Sequence, residues 1–254
     1  MRKDLIAGNW KMNTNHLEAI QMVQKLSYRL DPSDYERVEV VVCPPFTSLR
    51  SAQTVIETDH LAIKLGAQNV DWHDSGAFTG EVAPAMLSKL SVSFVIVGHS
   101  ERRQLFGETD EVVNTKAKAV IAAGMTPIIC VGETEAERDE GQADAVVGSQ
   151  VRAGLAGLDA ETAASVVVAY EPIWAIGTGR TASADDAGSM CAFVRDQIRE
   201  SAGDAADSTR ILYGGSMNPG NVAGLMAKND IDGGLVGGAS LDPDTFASVI
   251  RYWI

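Results

Sequence analysis

Eight short runs of mostly apolar, often β-branched residues recur along the chain, each followed by a helical pattern. The runs are almost continuously apolar instead of alternating, which is typical of parallel strands buried on both faces. They cover residues 4–10, 38–44, 61–67, 93–99, 126–132, 166–171, 210–215 and 232–238. Amphipathic segments such as 17–30 and 110–123 lie between the runs, and Pro84 and segment 183–185 mark further helix starts.

Eight strand–helix units in 254 residues predict an α/β protein, a single (β/α)8 barrel domain over residues 1–254 with parallel strands ringed by helices. An open, doubly wound sheet is the alternative, although such sheets usually have fewer strands and a glycine fingerprint after the first. No linker or low-complexity tract divides the chain. Because barrel enzymes carry their catalytic groups at the C-terminal ends of the strands, the residues at those ends are the candidates for function.

Charge and cysteine content narrow the partners of the protein. The formal net charge of −13 disfavours nucleic acid and anionic membrane surfaces, since both require a basic patch. Cys43, Cys130 and Cys191 are far apart and form no CxxC motif, so neither a disulfide framework nor a zinc site is expected. The first residues do not match a signal peptide and no apolar run has the length of a membrane span, so we expect a cytoplasmic protein.

Three strand ends carry side chains suited to proton transfer near an anion. Asn9 and Lys11 end the first strand two residues apart, and therefore on the same side of an extended chain. His99 ends the fourth strand and Glu171 the sixth. Singly, each could be a solvated strand end or a structural histidine. Together they favour chemistry in which a carboxylate removes a proton beside a carbonyl while histidine and lysine stabilise the charge on oxygen.

Glycine pairs follow the last two strands, in YGGS at 213–216 and GLVGGAS at 234–240. Glycine also makes ordinary tight turns, but barrels commonly bind phosphate through backbone N–H groups in these two loops. The segment GTGRTA at 177–182 does not directly follow its strand and so does not fit a dinucleotide site. The histidines show no metal-ligand spacing. We therefore expect a phosphorylated substrate, no cofactor and no metal.

Six segments, in their order along the chain, resemble the triosephosphate isomerase family from end to end. They are AGNWKMN at 7–13, VGHSERR at 97–103, CVGE at 130–133, AYEPIWAIGTG at 169–179, YGGS at 213–216 and GLVGGASL at 234–241. The resemblance implies an isomerase of glycolysis and gluconeogenesis. Its reaction interconverts dihydroxyacetone phosphate and D-glyceraldehyde 3-phosphate through an enediolate, without a cofactor.

The resemblance also implies roles for individual residues. Glu171 matches the base that moves the proton, His99 the neutral electrophile and Lys11 the positive charge. Asn9 matches a residue that helps to hold the substrate. The remaining matches are Glu101, the carboxylate partner of the lysine, and Ser100, which supports the site. Phosphate-binding positions are matched by Gly177, Ser216, Gly237 and Gly238.

Residues 172–182 resemble the mobile lid of the family, which is a standard example of lid closure in enzymes. Pro172 would stiffen one hinge, and the lid would be latched by Glu133, Trp174 and Tyr213. Arg180 stands where lysine is commoner in the family, so we expect altered lid kinetics at most. The long segment 67–83 resembles an interface loop and implies a homodimer, with Thr79 approaching Asn9 and Lys11 of the second subunit.

Two other functions remain possible on the residues alone. A Schiff-base aldolase acting on sugar phosphates would need a lysine at a strand end, and Lys11 is the only lysine at a predicted barrel mouth. A non-enzymatic binding protein with the same fold would not need Glu171 or His99, yet both residues are present.

Overall fold

The computed structural model describes residues 2–175 and 182–254, and its sheet is a closed barrel of eight parallel strands. The strands are β1 (Asp4–Asn9), β2 (Val38–Cys43), β3 (Lys64–Ala67), β4 (Val92–Val97), β5 (Thr126–Val131), β6 (Val167–Tyr170), β7 (Arg210–Tyr213) and β8 (Gly233–Val236). Consecutive strands pair with one another, and β8 closes the ring on β1, with Leu5 opposite Gly233 and Gly8 opposite Val236. The predicted (β/α)8 fold is confirmed.

Helices surround the strands. They are α1 (His16–Ser27), α2 (Pro32–Arg37), α3 (Phe46–Thr58), α4 (Pro84–Ser88), α5 (Ser100–Phe106), α6 (Asp110–Ala122), α7 (Glu135–Asp139), α8 (Ala143–Leu155), α9 (Ala160–Ser165), α10 (Ala184–Ala202), α11 (Val222–Met226) and α12 (Pro243–Ile250). Pro84 is the first residue of α4, and Ser183 caps α10 by accepting a hydrogen bond from the Asp186 N–H. Both predicted helix starts are confirmed, because each places its proline or cap where the first turn lacks backbone partners.

The third strand differs most from its predicted bounds, since it begins at Lys64 and not at residue 61. Ile63 is buried and Leu61 packs against the outer core, so their apolar character reflects packing outside the sheet. The pairing of β3 with β4 also shifts register between Leu65 and Gly66. An apolar run cannot by itself distinguish these two kinds of burial.

Alternate strand residues face either the barrel axis or the surrounding helices. The axial core consists of Leu5, Ala7, Val41, Cys43, Phe94, Ile96, Ile128, Cys130, Val167, Ala169, Leu212 and Leu235. Residues of the opposite phase, such as Ile6, Val40 and Val168, join the helices in a second, larger core. Burial on both faces explains why the strands appear as continuous apolar runs in the sequence.

Gly66 makes room for a cysteine inside the barrel. A Cβ atom at position 66 would lie 2.4 Å from the Cys43 Sγ and 3.0 Å from the Val41 Cγ1. Cys43, Cys130 and Cys191 are all free thiols and fully buried. Burial raises the pKa of the Cys43 thiol to about 12, so it stays protonated and acts as a small apolar group.

We expect Gly66→Ala to lower the free energy of unfolding by roughly 1–3 kcal/mol, because its methyl group overpacks the axial core. Adding Cys43→Ala should recover part of this loss by removing the sulfur atom that the methyl group meets. Urea unfolding of the wild type, both single variants and the double variant measures this coupling. Strict additivity of the two changes would show that contact with Cys43 is not the reason for glycine at position 66.

Candidate active site

The C-terminal ends of the strands enclose a cavity of about 360 Å³. Many of the residues predicted from the sequence line it: Asn9, Lys11, His99, Glu171, Ser216, Gly237 and Gly238. Gly177, predicted to bind phosphate, and Arg180, predicted to lie in the lid, are outside the described residues. The barrel therefore brings the predicted catalytic side chains and both predicted phosphate turns to one cavity.

The phase of the strands explains how the reactive side chains reach the cavity. Val167 and Ala169 of β6 belong to the axial core, and Glu171 continues the same phase one step beyond the strand. In the same way, Asn9 continues the phase of Leu5 and Ala7 in β1. Because every second residue points to the axis, the first polar residues in this phase lie at the barrel mouth.

Glu171 is the most deeply buried charged group of the cavity, with 2% of its surface exposed. Its Oε1 lies 2.9 Å from the His99 Nε2, and its Oε2 accepts a hydrogen bond of 2.9 Å from the Ser100 N–H. The Ser100 hydroxyl donates to Oε1 at 3.3 Å. These contacts hold the carboxylate against the start of α5, with both of its oxygens engaged.

Hydrogen bonding defines the tautomer of His99. The Glu101 N–H donates to the His99 Nδ1 at 3.2 Å, so Nδ1 is the acceptor nitrogen and Nε2 carries the proton. The protonated Nε2 faces the cavity and the Glu171 carboxylate. A second proton, on Nδ1, would be repelled by the Glu101 N–H, so this hydrogen bond by itself favours the neutral imidazole.

Burial and charge act in opposite directions on the two side chains. Burial raises the pKa of the Glu171 carboxyl, but His99, the Ser100 N–H and Lys11 together lower it below its usual value. Burial likewise has the largest effect on the pKa of His99 and lowers it, but the Glu171 and Glu101 carboxylates together outweigh burial and raise this pKa. Each group therefore favours the charged form of the other.

Lys11 is held in an unusual backbone conformation. Its φ of 52° lies in the left-handed region, which costs a non-glycine residue on the order of 1–3 kcal/mol. The Asn9 Oδ1 accepts from the Lys11 N–H at 3.1 Å, and the Lys11 Nζ lies 2.6 Å from the Glu101 Oε1. The ammonium group is thus ion-paired at the edge of the cavity, whereas a Schiff-base lysine must lose its proton to attack a carbonyl.

The two glycine pairs serve different purposes. A Cβ atom on Gly214 would lie 2.9 Å from the Glu171 Cγ, and one on Gly215 would lie 2.2 Å from the Tyr213 Oη, so this turn needs glycine for packing. At Gly237 the nearest atom is the Lys11 Cε at 3.7 Å, and Gly238 has nothing within 4 Å. Only the second pair leaves open space at the cavity.

The sequence model of the triosephosphate isomerase family matches residues 4–253. The chain belongs to the triosephosphate isomerase family. Triosephosphate isomerase of Streptomyces coelicolor is 55% identical over 252 residues, which cover 99% of this chain and 98% of the relative. Those of Mycobacterium avium and Mycobacterium tuberculosis are 53% identical over 249 residues, or 98% of this chain and 95% of each relative.

Family membership settles the reaction class: the protein is an isomerase that interconverts triose phosphates. Within residues 2–175 and 182–254, no group of three or more His, Cys, Asp or Glu side chains is arranged to hold a metal ion. No helix in this same part of the chain is long and apolar enough to cross a membrane.

A second cluster lies beside the entrance to the segment matched to the family's lid. Glu133 is fully buried, and its Oε1 accepts hydrogen bonds from the Trp174 Nε1 at 2.9 Å and the Tyr170 hydroxyl at 3.0 Å. The Arg138 guanidinium donates to the same oxygen at 3.0 Å and lies over the Trp174 ring at 4.4 Å from its centroid. Trp174 is therefore anchored by a charged group and not only by packing.

Several contacts of the site were not anticipated from the sequence. Tyr170 and Arg138 contact Glu133, Gln68 contacts the backbone of Lys11, and Met217 lines the cavity. Tyr170 follows an apolar run and resembles a core residue, while Gln68 and Arg138 lie in polar segments with many similar residues. Tyr213 is predicted from the resemblance as a residue that latches the lid. Its buried hydroxyl has no hydrogen-bond partner among the described residues.

The opposing effects on His99 lead to a measurable shift. We expect Glu171→Gln to lower the pKa of His99, because it removes the carboxylate that raises this pKa and leaves the burial that lowers it. Titration of the imidazole by NMR in both proteins measures the change, with exposed His60 as the internal control. An unchanged or higher His99 pKa in the variant would contradict the assigned balance.

Proposed function

We propose that Glu171 and His99 carry out the isomerisation as proton acceptor and electrophile. The observation that supports this pairing is the 2.9 Å contact between the Glu171 Oε1 and the His99 Nε2 inside the cavity. A carboxylate and a protonated ring nitrogen that lie side by side in one cavity can act on adjacent atoms of one small substrate once the substrate has separated them. Proton abstraction beside a carbonyl requires this combination of base and hydrogen-bond donor.

In the proposed reaction, Glu171 removes a proton from the carbon next to the substrate carbonyl. The electrons of the C–H bond form a carbon–carbon double bond, and the carbonyl electrons move to oxygen, giving an enediolate. The His99 Nε2–H donates to this oxygen and shuttles the proton between the two oxygens, while Lys11 stabilises the negative charge. Glu171 then returns its proton to the neighbouring carbon, which completes the exchange of ketone and aldehyde.

Substrate binding must separate the two catalytic side chains. At 2.9 Å there is no room for a substrate oxygen between the His99 Nε2 and the Glu171 Oε1, so the carboxylate has to leave this position. It then also loses the Ser100 N–H, one of the groups that lower its pKa. With burial dominant, the pKa of Glu171 rises and that of His99 falls, so the departing contact produces a stronger base and a neutral electrophile.

The phosphate of the substrate is proposed to bind at the turns after β7 and β8. Ser216, Gly237 and Gly238 line the same cavity as Lys11, and a Cβ atom at Gly238 would meet nothing within 4 Å. Gly177 is proposed to complete this site when the lid closes. Backbone N–H groups and one lysine can thus bind an anion although the protein carries a net charge of −13.

The segment 172–182 is proposed to act as the lid, with Glu133 and Tyr213 as its latches. Support comes from its described entrance, where the turn Ile173–Ala175 is anchored by Trp174 on Glu133. Among the described residues the Tyr213 hydroxyl has no hydrogen-bond partner, and we propose that a backbone N–H of the lid donates to it. Exclusion of water protects an enediolate phosphate, which would otherwise eliminate phosphate.

We expect Glu171→Gln to reduce kcat by about 10²–10⁴-fold, because an amide of the same size cannot accept the substrate proton. Inhibition by inorganic phosphate should remain within about threefold of the wild type, since the proposed phosphate turns are unchanged. A coupled assay measures both quantities, and Glu161→Gln, at an exposed position on α9, controls for loss of one charge. Near-wild-type turnover in Glu171→Gln would contradict the proposed base.

We also propose that the protein is a homodimer formed through the loop 67–83. Apolar side chains are exposed on the segments that follow β1, β3 and β4, in the half of the barrel formed by β1 to β4. They are Met12, Trp72 and Phe78 in loops, Met86 on α4, and Leu105 and Phe106 on α5. Met12 is 96% exposed, and Phe78 stacks on His73 with 3.8 Å between ring centroids. Burial of this surface by a second copy would place the exposed Thr79 near Asn9 and Lys11 of its neighbour.

Shortening the segment 72–80 should produce a monomer whose kcat/KM is about 10²-fold lower, although no proposed catalytic residue is changed. The expected cause is loss of the neighbouring packing that orients Asn9 and Lys11, since misplacement by about 1 Å can reduce the rate by this factor. Sedimentation and kinetics on the same samples test both parts. A dimeric variant would contradict the interface, and a fully active monomer would contradict its link to catalysis.

A further inference from the structure

Lys11 needs support for its backbone as well as for its ammonium group. Lys11 has a φ of 52°, in the left-handed region, so its side chain points in a different direction from that of a residue in extended backbone. Two of its polar groups have partners: the Lys11 N–H donates to the Asn9 Oδ1, and the Nζ donates to the Glu101 Oε1. These two contacts leave the carbonyl of Lys11 to be fixed.

Gln68 supplies this third contact. Its Nε2 donates one hydrogen bond of 2.8 Å to the Lys11 O and a second of 2.8 Å to the Cys43 O. Gln68 directly follows β3, while Cys43 is the last residue of β2 and Lys11 lies two residues beyond β1. One side-chain amide therefore uses both of its protons to join three neighbouring strand ends, beyond the point where the ladder pairs Asn9 with Cys43.

The two acceptors depend on Gln68 to different degrees. The Cys43 O also accepts a hydrogen bond of 3.2 Å from the Trp10 N–H, so it keeps a partner without Gln68. Within the described part of the chain, the Lys11 O has no donor other than Gln68. Loss of the amide thus releases Lys11 first, at the residue whose backbone is least able to hold its conformation unaided.

We propose that Gln68 is a positioning residue for the reaction, which fixes the Lys11 carbonyl and thereby directs the lysine side chain into the cavity. With the N–H and C=O of Lys11 both held, the direction of its Cα–Cβ bond is determined, and the Cε comes to lie beside Gly237. Gln68 does not line the cavity and acts only through Lys11. The inference rests on the role proposed above for Lys11 as the positive charge of the site.

The test compares two glutamine-to-methionine variants. Gln68→Met keeps the length of the side chain but removes both donors. Gln53→Met is the matched control, because Gln53 is a buried glutamine on α3 with hydrogen bonds to Glu57 and Arg50 and no contact with the cavity. Unfolding curves and circular dichroism establish that each variant is folded, and active-site concentration is normalised to the folded fraction.

We expect Gln68→Met to lower kcat/KM by about 10- to 10²-fold and to weaken competitive inhibition by inorganic phosphate by a similar order, because a misdirected lysine interacts less well with the anion. Gln53→Met should change neither quantity by more than about threefold. A purely structural role for Gln68 would lower the folded fraction and leave KM and the phosphate inhibition constant unchanged. That result would overturn the inference.

Lys11→Met and the double variant Lys11→Met/Gln68→Met separate this inference from the function on which it rests. If Gln68 acts through Lys11, its replacement should change kcat/KM by less than about threefold once the lysine is absent. Equal effects of Gln68→Met with and without Lys11 would overturn the positioning role while leaving the role of Lys11 intact. Full activity of Lys11→Met would instead contradict the proposed function of the lysine itself.

Discussion

Closure of the eight strands into one hydrogen-bonded ring is the constraint on which the site depends. In a closed parallel barrel the register of each strand is fixed by both neighbours, so alternate residues must face the axis. The same phase that buries Leu5, Ala7, Val167 and Ala169 continues into the polar residues at the mouth. The geometry of the cavity is therefore an extension of core packing, and the strand phase alone directs Glu171 towards the barrel axis.

Contacts within the protein balance the charges in the cavity. A buried carboxylate is unfavourable without partners, and Glu171 obtains them from His99 and Ser100. These partners lie at the entry of α5, where His99 caps the helix through the Glu101 N–H. These contacts thus stabilise a buried charge, and in the proposed reaction their replacement by substrate would change the pKa of both groups. The two effects arise from one hydrogen-bonded pair.

The fold and the polar side chains that line the cavity were predictable from the sequence, because both follow from strand periodicity and strand ends. Lys11, His99 and Glu171 each directly follow an apolar run, where an ionisable residue is conspicuous. Gln68 was not predictable, since its importance comes from a carbonyl contact between strands that no sequence pattern encodes. The glycine pair after β7 is predicted from the sequence as a phosphate-binding turn, and the sequence does not show that contacts with Glu171 and Tyr213 also require glycine there. Such cross-strand contacts appear only once the barrel is closed.

The three buried thiols can be used to measure how often the packed layers of the protein separate. Cys43 and Cys130 belong to the axial core and Cys191 to the layer between barrel and helices, and all three are fully buried. Burial raises the pKa of each thiol, so that little thiolate is present in the closed fold. A water-soluble alkylating reagent can reach these sulfurs only when the packed layers separate. The pace of alkylation therefore follows how often each layer exposes its interior, with the axial pair monitoring the barrel and Cys191 monitoring the helical shell.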